Sequence, residues 1–201
     1  EAMKLFNGIF SFCFLDKKRN KLILARDPFG VKPLYYYFDG KHFLFSSELK
    51  FVTKHIPNKK ISQESLYTFM KLRYNPSPQT LFKDVFKMKP GHFLELDLNS
   101  MKLSEQQLYA EKPHEEVKMT EMDALELYEE KLLKAVERQL MSDVPISILL
   151  SGGVDSALIT QLANKVSGET GFDSFTAGYS FDSEVNELDE AKISSNFLGT
   201  N

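Results

Sequence analysis

The stretch that most constrains this 201-residue chain is Ser151-Gly152-Gly153-Val154-Asp155-Ser156, because of what stands on either side of it. Before it, Val144-Pro145-Ile146-Ser147-Ile148-Leu149-Leu150 is a short apolar run, rich in β-branched residues and of strand length. After it, Ala157 to Val166 places apolar residues at helical spacing. Strand, glycine turn and helix in that order form an anion-binding device. Glycine lets the backbone turn sharply and lets a phosphate approach with no Cβ in the way. The first N–H groups of a helix lack intrahelical partners and point beyond the strand end. Ser151 and Ser156 can add hydroxyl donors. Asp155 is the odd member, since a carboxylate repels a phosphate unless a cation lies between them. Mg²⁺, which takes oxygen ligands from both, is the expected intermediary. No lysine follows the glycines, which sets the loop apart from the Gly-Lys-Ser/Thr type. A Ser/Gly-rich connecting turn would account for the two glycines alone. With strand, Asp and helix all in frame, a phosphate site is the better reading.

Ser-Gly-Gly-Val-Asp-Ser resembles the pyrophosphate loop of the ATP pyrophosphatase superfamily, whose members cleave ATP to AMP and pyrophosphate to adenylate a carboxylate or carbonyl oxygen. The longer string from Leu140-Met141-Ser142-Asp143-Val144-Pro145 through Ser156 is similar to glutamine-hydrolysing asparagine synthetases in particular. That resemblance implies ATP and Mg²⁺ as cofactors, with nucleotide held at Leu149, Ser151, Gly152, Gly153, Val154, Asp155, Ser156 and Ala177. Leu149 and Ala177 match positions whose backbone contacts adenine, although core strand packing is an equal role for both. Asp155 is the implied Mg²⁺ ligand.

The upstream half tests the resemblance independently. Ile9–Asp16 and Lys21–Asp27 read as a hairpin across the polar turn Lys17-Lys18-Arg19-Asn20. Pro28-Phe29-Gly30 breaks the pattern, Val31–Phe38 resumes as an aromatic strand, and Asp39-Gly40 turns the chain into Lys41–Glu48. The expectation is a meander. Within it, Arg26-Asp27-Pro28-Phe29-Gly30-Val31-Lys32-Pro33-Leu34-Tyr35-Tyr36 and Ser46-Ser47-Glu48-Leu49-Lys50 resemble class II glutamine amidotransferase domains. Amidophosphoribosyltransferases carry similar strings. The resemblance implies an N-terminal-nucleophile fold, two β-sheets between helical layers. Arg26, Asp27 and Glu48 are expected to form an ion-pair and hydrogen-bond network around Pro28 and Gly30, not a catalytic set. Cys13, in Phe-Ser-Phe-Cys-Phe-Leu, is expected to be a small buried hydrophobe with a raised pKa. The nucleophile that the resemblance implies is instead an N-terminal cysteine, and this sequence begins Glu1-Ala2-Met3. No catalytic residue is therefore assigned, and the chain is expected to be a piece of the enzyme with no glutaminase activity of its own.

Further on, Ile61–Tyr74 reads as a helix capped by Ser62, ended by Asn75-Pro76-Ser77-Pro78. Thr80–Met88 and His92–Leu98 read as strands joined by Lys89-Pro90-Gly91, and 105–119 as a polar linker. Thr120 caps a long helix with Asp123 at the capping-box position and a stripe of Leu125, Tyr128, Leu132, Val136 and Leu140, expected to pack on a sheet. Phe172–Ser180 is a second parallel strand and Glu184–Leu198 a last helix, so the loop sits in a βαβ unit. His42, His55, His92 and His114 stand singly, without ligand spacing.

The expected architecture is α/β overall. Residues 1–112 form the C-terminal part of an αββα N-terminal-nucleophile glutaminase sandwich. Residues 113–201 begin a parallel-sheet α/β ATP pyrophosphatase (adenine nucleotide α-hydrolase-like) domain. A net charge of −3 argues against nucleic acid and anionic membranes as partners. One cysteine excludes a disulfide framework, and no apolar run reaches membrane-span length. A cytoplasmic setting is expected. The resemblance implies a ligase acting on small molecules, ATP, aspartate and glutamine, and allows a homodimer. Two alternatives stay open: a related amide or β-lactam synthetase, and a non-catalytic nucleotide-binding relative.

Overall fold

Three aspartates, each the last residue of a strand or the first after it, turn the chain back in its first part. The computed structural model describes residues 2–109, 117–168, 171–178 and 186–201, and it divides into two units, residues 1–114 and 115–201. The first runs β1 (Ser11–Asp16), β2 (Lys21–Arg26), β3 (Tyr35–Phe38), β4 (Phe43–Ser46), α1 (Leu49–His55), α2 (Gln63–Leu72), β5 (Val85–Lys87), β6 (His92–Asp97) and β7 (Lys102–Gln107). Asp16 Oδ1 accepts from the backbone N–H groups of Lys18 and Arg19 at 3.0 and 3.1 Å. Asp39 does the same for Lys41 and His42, at 2.9 and 2.7 Å, and Asp97 for Asn99 and Ser100, at 3.0 and 2.9 Å. A short acceptor that satisfies the turn's own donors is why aspartate suits these corners.

The strands do not form the expected meander. β2 pairs with β1 and β6, and β3 with β4 and β5, all antiparallel, giving sheets of order β1-β2-β6-β7 and β4-β3-β5. The chain changes sheets between β2 and β3, across Pro28–Leu34. Two buried charged residues hold that crossing. Asp27 accepts from the N–H groups of Phe29 (3.2 Å) and Val31 (2.9 Å) on Oδ1 and of Lys32 (3.1 Å) on Oδ2. Arg26 donates to the carbonyls of Lys32 (2.7 Å), Met88 (2.5 Å) and Gly30. Burial would raise the Asp27 pKa, but the N–H groups of Val31, Lys32 and Phe29, with the Arg26 charge, outweigh it and hold the carboxyl below its ordinary value. The expected network is thus made of hydrogen bonds to backbone. Among the described residues no ion pair joins Arg26 to Asp27, and Glu48 lies apart as the N-cap of α1.

The two sheets pack face to face. Leu24 and Leu94 from one meet Tyr36 from the other, with Leu34 and Met88 between and Phe38, Phe43, Phe86 and Leu103 around them. Full burial of a Leu or Met of this kind contributes roughly 1.5–3 kcal/mol. The far face of the smaller sheet packs Tyr37 and Val85 against Val52 and Ile56 of α1 and its end. This helix was not expected. Leu49, Val52 and Ile56 carry its spacing, but Glu48 makes no side-chain cap. β7 likewise occupies part of the expected linker. Glu105 to Gln107 pair with Leu94, Phe93 and His92, and Leu108 beyond them is buried. The expected boundary at residue 112, Pro113 and His114 lie outside the described residues.

Cys13 is exposed, contrary to expectation. It pairs with Leu24 and so faces the same side of the sheet, the sandwich side. β1 is an edge strand, however, and the core on that side is built from β2, β6 and β7 with no residue of β1. Partial burial still pushes the thiol pKa up.

The second unit contains α3 (Glu121–Gln139), β8 (Ser147–Leu149), α4 (Val154–Ser167), β9 (Asp173–Phe175) and α5 (Leu188–Leu198). Thr120 and Asp123 form the expected capping box. The stripe on α3 divides. Leu132, Val136 and Leu140 pack with Leu162 and Ala163 of α4, together with Ile148 and Phe172, whereas Leu125 and Tyr128 are exposed. The helix therefore packs chiefly on another helix and not on a sheet. β8 and β9 are parallel, with Ile148 opposite Ser174 and Leu149 opposite Phe175, so the βαβ unit is present, with strands shorter than expected. Tyr179, Ser180 and the expected start of the last helix at Glu184 lie outside the described residues.

Candidate functional site

At the carboxyl end of β8 the chain leaves the sheet through Leu150, which is buried, and enters the loop. Leu150 N–H donates to Phe175 O at 3.0 Å, and Thr176 Oγ1 donates back to Leu150 O at 2.6 Å. The two strand ends are thereby locked one residue beyond the regular ladder. Between them they present Leu149 and Ala177, both exposed. Core packing does not occupy either residue, so the strand ends are open to a flat apolar group.

The two serines close the loop on itself. Ser156 Oγ accepts from Ser151 N at 3.2 Å and lies 2.9 Å from Ser151 Oγ, 3.1 Å from Ser151 O and 3.0 Å from Gly153 O. Its single proton serves one of those acceptors at a time. Ser151 Oγ accepts from Gly153 N at 3.2 Å. The hydroxyls expected to be free donors are therefore spent on shaping the loop. What the loop offers outward is backbone. The helical ladder begins with Ala157 N–H to Gly153 O, at 3.3 Å, so the preceding N–H groups have no acceptor within the helix. Thr160, fully buried, donates its hydroxyl to Ser156 O at 2.8 Å and steadies the first turn from below.

Asp155 stands in that first turn, exposed, and among the described residues no hydrogen bond or ion pair engages its carboxylate. A carboxylate beside open N–H groups at a helix start can bind a hard cation that an anion above the loop would share. The carboxylate oxygens of Asp155 are of the kind Mg²⁺ takes, so this residue would hold the ion. Val154 is exposed as well, so the mouth of the loop is clear. Leu149, the last residue of β8, and Ser151, Gly152, Gly153, Val154, Asp155, Ser156 and Ala177 beyond the strand ends are all brought to the carboxyl end of the two-stranded sheet.

Sequence reasoning missed Thr160, Thr176 and the first turn of α5. The hydroxyls gave no signal of their own, because both bond to backbone groups whose position depends on the loop. The described histidines bond locally: His42 to Asp39 at 3.0 Å, His55 to Phe51 O at 2.8 Å, and His92 to Pro90 O at 2.7 Å. Among the described residues no three His, Cys, Asp or Glu side chains gather as a metal cluster, and no helix is long and apolar enough to cross a membrane.

Comparison with known proteins gives two family matches. Residues 1–109 match the glutamine amidotransferase domain family, and residues 127–201 match the asparagine synthase family. Similar proteins include glutamine-hydrolyzing asparagine synthetase 3 of Bacillus subtilis (strain 168), 36% identical over 160 residues, which cover 78% of this chain and 25% of that protein. Glutamine-hydrolyzing asparagine synthetase 1 of the same organism is 29% identical over 203 residues, 99% of this chain and 31% of that protein. Amidase chry2 of Gibberella zeae is 31% identical over 162 residues, 78% of this chain and 23% of that protein. The chain spans about a third or less of the length of these relatives.

Proposed function

We propose that the protein this chain comes from makes asparagine from aspartate, ATP and glutamine: the chain belongs to the glutamine amidotransferase domain family, whose model matches residues 1–109, and its residues 127–201 match the asparagine synthase family. Residues 1–112 then belong to an N-terminal-nucleophile glutaminase domain that releases ammonia from glutamine. Residues 113–201 open the domain that activates aspartate.

The single observation carrying this reading is the loop of the second unit, whose serines are turned inward while its backbone donors and the Asp155 carboxylate are left open. The N–H groups at the start of α4 hold the β- and γ-phosphates of ATP, and Leu149 and Ala177 receive the adenine through backbone contacts. Mg²⁺, when bound, would supply positive charge to offset that of pyrophosphate as it leaves. Asp155 would hold that ion. The aspartate side-chain carboxylate attacks the α-phosphorus, the bond to the β-phosphate oxygen breaks, and β-aspartyl-AMP and pyrophosphate form. Ammonia then adds to the activated carbonyl and AMP leaves. The loop acts by being preorganised where charge builds on the leaving group.

A second reading keeps the adenylation and changes the acceptor, as in an amide-forming enzyme acting on another carboxylate. Amidase chry2, a similar protein that is not named an asparagine synthetase, keeps the acceptor open. The Asp155→Asn variant of the whole protein tests what both readings share. It keeps the shape of the loop and removes the charge that holds the cation. Pyrophosphate release dependent on the acceptor is expected to fall by about 10²–10³-fold, the scale of removing one transition-state stabiliser, with glutamine hydrolysis retained. Equal release by wild type and variant at saturating Mg²⁺ would restrict Asp155 to shaping the turn. Aspartate set against other carboxylates as acceptor decides between the two readings.

A further inference from the structure

Gly152 and Gly178 end the two parallel strands' extensions, and neither has a positive φ, so neither needs to be glycine for its backbone conformation. Both are filled from outside by the same helical turn. A methyl group added to Gly152 would overlap Cβ of Glu190 and lie 3.3 Å from its Cγ. One added to Gly178 would lie 2.5 Å from Cγ and 2.7 Å from Cδ2 of Leu188. At Gly153 the same addition meets only Ser151 Oγ, at 3.3 Å. The space denied to a side chain at Gly152 is therefore taken by α5 and not kept for a phosphate.

We propose that the first turn of α5 is a positioning element of the nucleotide site, with Glu190 seating the phosphate loop through Gly152 and Leu188 seating the end of β9 through Gly178. The inference rests on the nucleotide reading of the loop and adds to it two positioning residues. The loop and the strand end carrying Ala177 are 25 or so residues apart in sequence, and one rigid turn of helix sets the distance between them. A small shift of that turn would move the phosphate donors relative to the adenine position, which alters nucleotide binding without touching any group that contacts it. The two seats differ in stiffness. Glu190 Cβ is fixed to the helix backbone, whereas Leu188 can turn its side chain.

The test is a pair of compensation cycles in the whole protein. Gly152→Ala is expected to lower the melting temperature without nucleotide and to raise KM for ATP about tenfold or more, as overpacking does, with a smaller change in kcat. Glu190→Gly removes the Cβ that the new methyl meets, so Gly152→Ala combined with Glu190→Gly should return both values close to those of Glu190→Gly alone. Gly178→Ala with Leu188→Ala should behave alike, with a milder single variant. Gly153→Ala, which meets only Ser151 Oγ, should lower the melting temperature less than Gly152→Ala. If Gly152→Ala is recovered unfolded, recovery of folded protein in the double variant reads the same contact. An undiminished KM defect in the double variant would overturn the proposal and return Gly152 to the phosphate. Rescue of melting temperature in a protein that binds no ATP would instead refute the nucleotide reading, and the positioning role with it, while leaving the packing contact established.

Discussion

Asp27→Asn tests how the chain is carried from one sheet to the other. The Asp27 carboxylate is 1% exposed and satisfies three backbone N–H groups, two on Oδ1 and one on Oδ2. Asparagine has the same shape but only one acceptor atom. With its oxygen toward Phe29 and Val31, its NH₂ group faces the N–H of Lys32 and leaves that donor unsatisfied. A buried donor without a partner costs about 1–3 kcal/mol, and the two surviving bonds lose their charge assistance. The expected loss is about 3 kcal/mol. Six of the eight tyrosines, Tyr35, Tyr36, Tyr37, Tyr67, Tyr74 and Tyr109, lie in the first unit. In this 201-residue chain, near-ultraviolet circular dichroism during urea unfolding therefore follows that unit in preference to the other. The pH dependence has a definite sign. The folded pKa of Asp27 is depressed, so its contribution is present above the unfolded carboxylate value, about 3.9, and is lost as pH falls through the folded value. The gap between wild type and variant should hold at neutral pH and close only in acid. A loss under about 1 kcal/mol at pH 7 would refute the reasoning, since that is no more than one ordinary hydrogen bond.

Ser156→Ala removes the hydroxyl that meets Ser151 and Gly153. Stability should change by about 1 kcal/mol, while AMP formation at saturating ATP falls on the order of 10²-fold, the effect of a misplaced loop; an unchanged rate would deny the hydroxyl any part in the site. Cys13→Ala in the whole protein should leave glutamine hydrolysis, assayed as glutamate release, within about twofold of wild type. Complete loss would make Cys13 the nucleophile.

The parts legible in the sequence were those whose causes are local. The loop could be read because Ile148, the glycines and the helix after Val154 are contiguous, and Thr120 with Asp123 could be read as a cap for the same reason. Partner choice between strands is not local. Tyr35–Phe38 follows Lys21–Arg26 closely in sequence yet joins a different sheet, because Asp27 and Arg26 bend the crossing with bonds that a hydrophobic pattern does not encode. The exposure of Cys13 depends on which strands the opposing sheet covers, which its own alternating strand does not reveal. β7 was obscured by its polar residues, with Leu103 alone reaching the sandwich core. Gly152 shows the same division inside the site. Its neighbours suggest a glycine placed for phosphate, and only the fold brings Glu190 against it.

The position at which ATP is cleaved decides the central claim. With the whole protein, ATP labelled at the α- and γ-phosphates, Mg²⁺, glutamine and aspartate should yield AMP and pyrophosphate in step with asparagine, and their formation should depend on aspartate. ADP and orthophosphate as the primary products would contradict the assignment of Ser151–Ser156 as a pyrophosphate loop.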